Sequence, residues 1–334
     1  MRFLFVALFI ASFFSCKNKQ AAPETLFQQI PASASGIDFQ NKIETSEDFN
    51  IFVYRNFYNG GGVAIGDINN DGLPDVYFTC NMGDNRLYLN KGGLKFEDIT
   101  QKSGTAGTKA WSTGTVMVDI NHDGWLDIYV CNAGYQKGSD QENELFINNH
   151  DGTFSEKAAE YGLNENGYTT HAAFFDYDGD GDLDCYILNN SFMPVNTLEN
   201  QNKRDLYAED WPVPDFLKGG GDKLLRNDNG HFTDVTRQAG IFGSLIGFGL
   251  GITVGDVNGD NWPDMYVSND FFERDYLYIN QKNGTFKEEI ENWVDHLSLA
   301  SMGADMADIN NDAYPDIFVT DMLPEPDYRI KTTT

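Results

Sequence analysis

Basic residues are few in this chain of 334 residues: 23 lysines and arginines stand against 51 aspartates and glutamates, for a formal net charge of −28. A surplus of that size opposes nucleic acid and anionic membrane surfaces and suits divalent cations. Histidine is scarcer still, and the five at 122, 150, 171, 231 and 296 share no motif spacing. There is no G-x-S-x-G, no H-E-x-x-H, no phosphate loop and no CxxC, so the common hydrolase, metalloprotease and nucleotide chemistries have no foothold. Four cysteines do not make a disulfide framework. Beyond Cys16, the remaining Cys80, Cys131 and Cys185 are odd in number and lie in strand-like runs, which predicts buried free thiols. Long apolar runs are absent except from Phe3 to Phe14, which is too short for a stable membrane span.

That run, with Arg2 before it and Ser15-Cys16 after it, reads as an export signal over residues 1–15. Its Ser-Cys ending resembles a bacterial lipoprotein cleavage site, which would make Cys16 the lipidated first residue of the mature protein and 16–25 a linker. An ordinary secretory signal is the alternative. Either way the chain is expected to be exported, and a lipid anchor would be its sole membrane attachment, facing periplasm or cell surface.

What the chain has in quantity is glycine (33), phenylalanine (25) and tyrosine (16), a turn- and strand-rich composition that predicts an all-β protein. It is also a repeat. The stretch DINNDGLPD at Asp67 recurs as DINHDGWLD at Asp119, DYDGDGDLD at Asp176, DVNGDNWPD at Asp256 and DINNDAYPD at Asp308. The copies lie roughly 50 residues apart, with one insertion of about 25 to 30 residues in the third unit. Ten residues after each first Asp stands an aromatic, Tyr77, Tyr129, Tyr186, Tyr266 or Phe318, inside a short apolar run. Five before it stands Gly62, Gly114, Gly251 or Gly303, with His171 breaking the column. Further strand-like elements (NRLYLN, NELFIN, DKLLRN, DYLYIN) and then Phe96, Phe154, Phe232 and Phe286 complete four strands per unit. Four short strands in each such repeat predict a β-propeller.

With these units the chain resembles the FG-GAP/VCBS repeat family, calcium-loop propellers related to the head of integrin α subunits. VYRNFYNGGGVAIGDINNDGLPD and the ending DMLPEPDYRIKTTT are similar to bacterial surface proteins grouped with cartilage acidic protein and the ASPIC/UnbV module. The resemblance covers residues 26–334 and implies a propeller with a calcium loop between the first two strands of each four-stranded blade.

The first, third, fifth and ninth loop positions offer side-chain oxygens, a hard donor set that suits calcium better than magnesium. They are Asp67, Asn69, Asp71 and Asp75 in the first loop. The family pattern carries over onto Asp119, Asn121, Asp123 and Asp127; onto Asp176, Asp178, Asp180 and Asp184; onto Asp256, Asn258, Asp260 and Asp264; and onto Asp308, Asn310, Asp312 and Asp316. Up to five Ca2+ ions are thus expected. An EF-hand would need Glu at the twelfth position, where Phe78, Val130, Ile187, Val267 and Val319 stand instead, so the ions are expected to be structural. The sixth position calls for a left-handed backbone, free to Gly72, Gly124 and Gly181 and open to Asn261, but a strain of about 1 kcal/mol for Ala313. The fifth loop is therefore the weakest of the set, and Asp182 makes the third the strongest in field.

A meander places the variable connections after each second strand on the face opposite the calcium loops. That face is expected to take a protein or glycan ligand, with His171, Tyr207, Trp211, Phe216, Phe271 and Phe272 as candidates. A flap whose aromatics pack on their own blade is the competing reading of the long insertion. The expected function is a surface binding or adhesion module, not an enzyme; the alternative is part of a secreted polysaccharide-acting enzyme. The segment LFQQIPASASGI matches the fourth-strand element of the other units, while the fifth unit stops after two strands. An incomplete ring of about five of seven blades is therefore expected, with a closed five-bladed ring as the alternative.

Overall fold

The computed structural model describes residues 26–134, 141–192, 203–271 and 273–322. The signal segment 1–15, Cys16, the linker and Phe272 lie outside them. Every sheet is an antiparallel meander. Blade 1 comprises β1 (Val63–Gly66), β2 (Asp75–Phe78), β3 (Arg86–Asn90) and β4 (Phe96–Asp98). Blade 2 comprises β5 (Ser112–Val118), β6 (Asp127–Asn132), β7 (Glu144–Asn148) and β8 (Phe154–Glu156). Blade 3 comprises β9 (Thr169–Phe175), β10 (Asp184–Asn189), β11 (Lys223–Asn227) and β12 (Phe232–Asp234). Blade 4 comprises β13 (Gly249–Gly255), β14 (Asp264–Asn269), β15 (Tyr276–Asn280) and β16 (Phe286–Glu288), and a fifth, two-stranded sheet comprises β17 (Ser301–Ala307) and β18 (Asp316–Asp321).

Register follows from the acidic loops. In each blade the ninth loop residue opens the second strand and pairs with the last residue of the first: Gly66 with Asp75, Val118 with Asp127, Phe175 with Asp184, Gly255 with Asp264 and Ala307 with Asp316. The apolar second strands fill the spaces between blades. Tyr77 and Leu87 of blade 1 pack with Ile128, Val130 and Phe146 of blade 2. Tyr129, Cys131 and Leu145 of blade 2 pack with Cys185, Ile187 and Leu225 of blade 3. Cys80, Cys131 and Cys185 are buried free thiols.

The first strands neighbour one another in the order β1, β5, β9, β13, β17. The glycine column sits where they come closest. A Cβ on Gly114 would lie 2.5 Å from the Thr170 carbonyl oxygen and 3.0 Å from His171 Cα. Gly114→Ala should therefore force backbone apart and cost about 2 kcal/mol, read as a lowered urea midpoint; an unchanged midpoint would show that the axis has slack.

The blades form an open arc among the described residues, with apolar Val63 and Ile65 exposed at one flank and Ile309 and Phe318 at the other. The N-terminal segment carries a helical turn, α1 (Ala32–Ser35), rather than a fourth strand, and Leu26 and Phe27 are exposed. The turn is nonetheless in register with the repeat. Gly36 after α1 abuts the Phe96 carbonyl of blade 1, just as Gly162 and Gly240, which end the turns of blades 2 and 3, abut Phe232 and Phe286 of the following blades.

Candidate metal centres and axial pocket

Each acidic loop is organised by its own carboxylates. The first aspartate accepts the backbone N–H groups at the fifth and sixth positions: Asp67 from Asp71 and Gly72, Asp119 from Asp123 and Gly124, Asp256 from Asp260 and Asn261, Asp308 from Asp312 and Ala313. In the third loop Asp176 takes Gly179 and Gly181. The fifth-position carboxylate accepts the N–H of the seventh residue in every loop, as Asp71 does from Leu73 at 2.9 Å.

The sixth position is left-handed throughout, including Asn261 (φ 66°) and Ala313 (φ 70°). The fourth position is left-handed too, at Asn70, His122, Gly179, Gly259 and Asn311. That second requirement was present in the sequence as a column of Asn, His and Gly.

The ninth aspartate has a second task. Asp75, Asp127, Asp184 and Asp264 have no exposed surface. Each accepts one N–H from the loop's second residue and one from the Asn that ends the third strand: Asn90 at 2.7 Å, Asn148 at 2.8 Å, Asn227 at 2.9 Å and Asn280 at 2.8 Å. The side chains of two of these asparagines reach the preceding blade, Asn148 Nδ2 to the Ile68 carbonyl and Asn280 Nδ2 to that of Tyr177, both at 2.8 Å. This asparagine column locks loop to sheet and blade to blade. It was visible as the final N of NRLYLN, NELFIN, DKLLRN and DYLYIN. Burial pushes the Asp127 and Asp264 carboxyls up to about 6 and Asp184 up to about 7, and it raises Asp75. Backbone N–H groups oppose the rise and the other loop carboxylates add to it.

The third loop fits a cation best. Carboxylate oxygens of Asp176, Asp178 and Asp184 lie within 4.8 Å of one another. Asp178 Oδ1 and Asp182 Oδ1 are buried without a hydrogen-bond partner among the described residues. Orphaned, crowded carboxylate oxygens are costly unless a hard cation satisfies them. In the first and second loops an asparagine replaces Asp178, and its amide donates to the fifth carboxylate, Asn69 to Asp71 at 3.0 Å and Asn121 to Asp123 at 2.9 Å.

The other ends of the first strands enclose a pocket of about 430 Å³ at the axis, lined by Asn56, Gly60 to Gly62, Thr113, Gly114, Thr170, His171, Leu250 and Met302. Asn56 is buried, and its Nδ2 has no partner among the described residues. Burial lowers the His171 pKa, which favours the neutral imidazole.

The described part of the insertion in blade 3 is anchored by buried side chains. Trp211, expected on a ligand face, is 7% exposed and sits with Ala208, Leu245 and Ile246. Its indole N–H reaches the Leu206 carbonyl at 3.0 Å. Phe192 is likewise buried, against Tyr54 and Tyr168. Arg204 ties the insertion to the buried Glu273 of blade 4, with Nε to Oε1 at 2.5 Å. Tyr207 lies beneath the Arg237 guanidinium, 3.9 Å from ring centroid to Cζ. Phe216 and Phe271 remain outward, at 51% and 38% exposure. The flap reading therefore describes Trp211 and Phe192, because an indole and a phenyl ring gain more from burial than from display.

Comparison with known proteins bears on the repeat. Cartilage acidic protein 1 of Xenopus tropicalis is 36% identical over 78 residues, covering 23% of this chain and 12% of that protein. The Mus musculus protein is 30% identical over 141 residues, covering 40% and 21%. The matches thus span about a fifth or less of those relatives. Among solved structures, an Agrocybe aegerita lectin described as recognising non-reducing terminal N-acetylglucosamine aligns at TM-score 0.42 and 16% identity, over 76% of this chain and 59% of that one. The biofilm matrix protein Bap1 of V. cholerae aligns at TM-score 0.39 and 14% identity, over 77% and 34%. The model of the FG-GAP-like repeat matches residues 67–130, 133–187, 213–267 and 256–319. Those stretches take in most of the chain and all five of its acidic loops in full, and on them the chain belongs to the FG-GAP-like repeat family.

Proposed function

We propose that the chain is a calcium-stabilised binding module of an exported protein, tethered through a lipid on Cys16, and that it takes a protein or glycan ligand on the face opposite its acidic loops. Calcium is the ion of choice because the loops offer only oxygen donors in an irregular set, which a small octahedral ion accommodates poorly. The ions serve the scaffold, and no reaction is assigned to them.

The observation that carries the binding role is the axial pocket. It brings the buried Asn56 and a half-buried His171 together with apolar Leu250 and Met302. Neutral donors beside apolar surface suit a sugar hydroxyl array or a protein loop, and the chain's net charge of −28 disfavours anionic ligands. Phe216 and Phe271 add outward aromatic surface on loops that follow second strands, away from the acidic loops.

The test is a binding screen of neutral oligosaccharides and surface proteins in calcium, read by biolayer interferometry. Asn56→Ala and His171→Ala should weaken a hit about tenfold or more, whereas Asp312→Asn on the far face should not. Ligands indifferent to both pocket variants would place binding elsewhere. Polysaccharide turnover abolished by either variant would replace the binding role with the enzymatic one.

A further inference from the structure

The residue two places after the asparagine that ends the third strand differs from blade to blade in a telling way. It is Gly92 in blade 1, His150 in blade 2, Asn229 in blade 3 and Lys282 in blade 4, and all four are left-handed, with φ of 81°, 64°, 56° and 60°. Glycine occupies that conformation without penalty, whereas histidine and lysine bear a strain of about 1 kcal/mol. Both strained residues land on the same target. His150 Nε2 lies 3.0 Å from Asp123 Oδ2, with its ring stacked on Trp125, and Lys282 Nζ lies 3.2 Å from Asp260 Oδ2. Asp123 and Asp260 are the fifth-position carboxylates of their loops. In blade 3 the equivalent Asn229 donates its backbone N–H to Asp182 at 3.2 Å. That loop carries five carboxylates, Asp176, Asp178, Asp180, Asp182 and Asp184, against three in each of its neighbours in blades 2 and 4.

We propose that Lys282 is an internal counter-ion that holds the fifth-position carboxylate of blade 4, weakens cation capture there, and leaves blade 3 to fill before blade 4, while His150 engages the matching carboxylate of blade 2 by a hydrogen bond. This rests on the calcium reading of the loops. A lysine ammonium on Asp260 neutralises one of three carboxylates and adds a positive charge that a second cation must displace or tolerate. The contact also keeps Asp260 ordered when no metal is bound, so blade 4 depends less on the ion than blade 3 does.

Terbium, a calcium-sized ion whose emission tryptophan sensitises, can read the two loops together. Trp262 belongs to loop 4, and its ring lies against Gly179 of loop 3, 3.1 Å from where a Cβ would stand. In a Trp125→Phe background, chelator-stripped full chain titrated with terbium at low ionic strength should show two phases excited through Trp262. Asp178→Asn should weaken the tighter phase, and Lys282→Gln should shift the weaker one about three- to tenfold toward lower terbium, leaving the tighter unmoved. A weaker phase that Lys282→Gln leaves in place, or moves to higher terbium, would overturn the counter-ion role while leaving the calcium reading intact. Absence of any saturable terbium emission would overturn both.

Discussion

Stripping the protein with a chelator is expected to lower its melting temperature by about 10 °C or more, because on the proposed calcium reading several loops would each bind the ion in the folded state alone. The effect should also reverse the pH dependence of stability. Without a cation, the Asp127, Asp264 and Asp184 carboxyls are pushed by burial to about 6, 6 and 7, above the roughly 4 of an unfolded aspartate. The folded chain then keeps protons that the unfolded chain has lost. Its stability from these groups is full below about pH 4 and declines as pH rises through the folded values near 6 to 7. Calcium requires the ionised carboxylates, so in excess calcium the melting temperature should hold or rise over the same interval. Differential scanning calorimetry from pH 4.5 to 7.5, with and without calcium, reads both effects. Melts that coincide in chelator and calcium at pH 7.5 would remove the ion from the fold's energetics.

What the sequence disclosed and what it withheld divide along a physical line. Repetition exposes any residue that every blade needs. The five loops, the left-handed sixth position down to Ala313, and the glycine column with its His171 exception all stood out as columns before any strand was placed. So did the second strands, whose apolar runs proved to be the filling between blades. Repetition does not say where a side chain points. An asparagine at the end of NELFIN reads as a turn residue, yet Asn148 bonds the ninth aspartate of its own blade and the Ile68 carbonyl of the previous one. Lys282 and His150 were hidden for a related reason: they share a position and a target, the fifth-position carboxylate, not an identity. The insertion of blade 3 has only one copy, so nothing in the pattern distinguished the inward Trp211 from the outward Phe216. That distinction depends on tertiary neighbours such as Leu245 and Ile246, which arrive from about 35 residues further along the chain.

The double task of the ninth aspartate separates scaffold from ion in a single pair of variants. Asp127 has no exposed surface, and its two oxygens accept the Ile120 N–H at 3.2 Å and the Asn148 N–H at 2.8 Å. Asp127→Ala would leave both donors buried and unsatisfied at the junction of loop, second strand and third strand, and would open a small void besides. A loss of about 3 kcal/mol is expected, and most of it should persist in chelator, since the backbone donors need their acceptor whether or not an ion is bound. Asp123, by contrast, faces the loop interior from a partly exposed position and holds the Trp125 N–H and His150. Asp123→Asn keeps an oxygen for the Trp125 N–H while removing the charge that a cation would meet. It should cost stability chiefly in calcium and little in chelator. Urea unfolding of both variants in the two conditions resolves the cases: Asp127→Ala shifts both midpoints, Asp123→Asn only the calcium one. Equal losses in chelator for the two variants would mean that the carboxylate at the fifth position is as much a strut as the one at the ninth. The loops would then be hydrogen-bonded turns first and cation sites second.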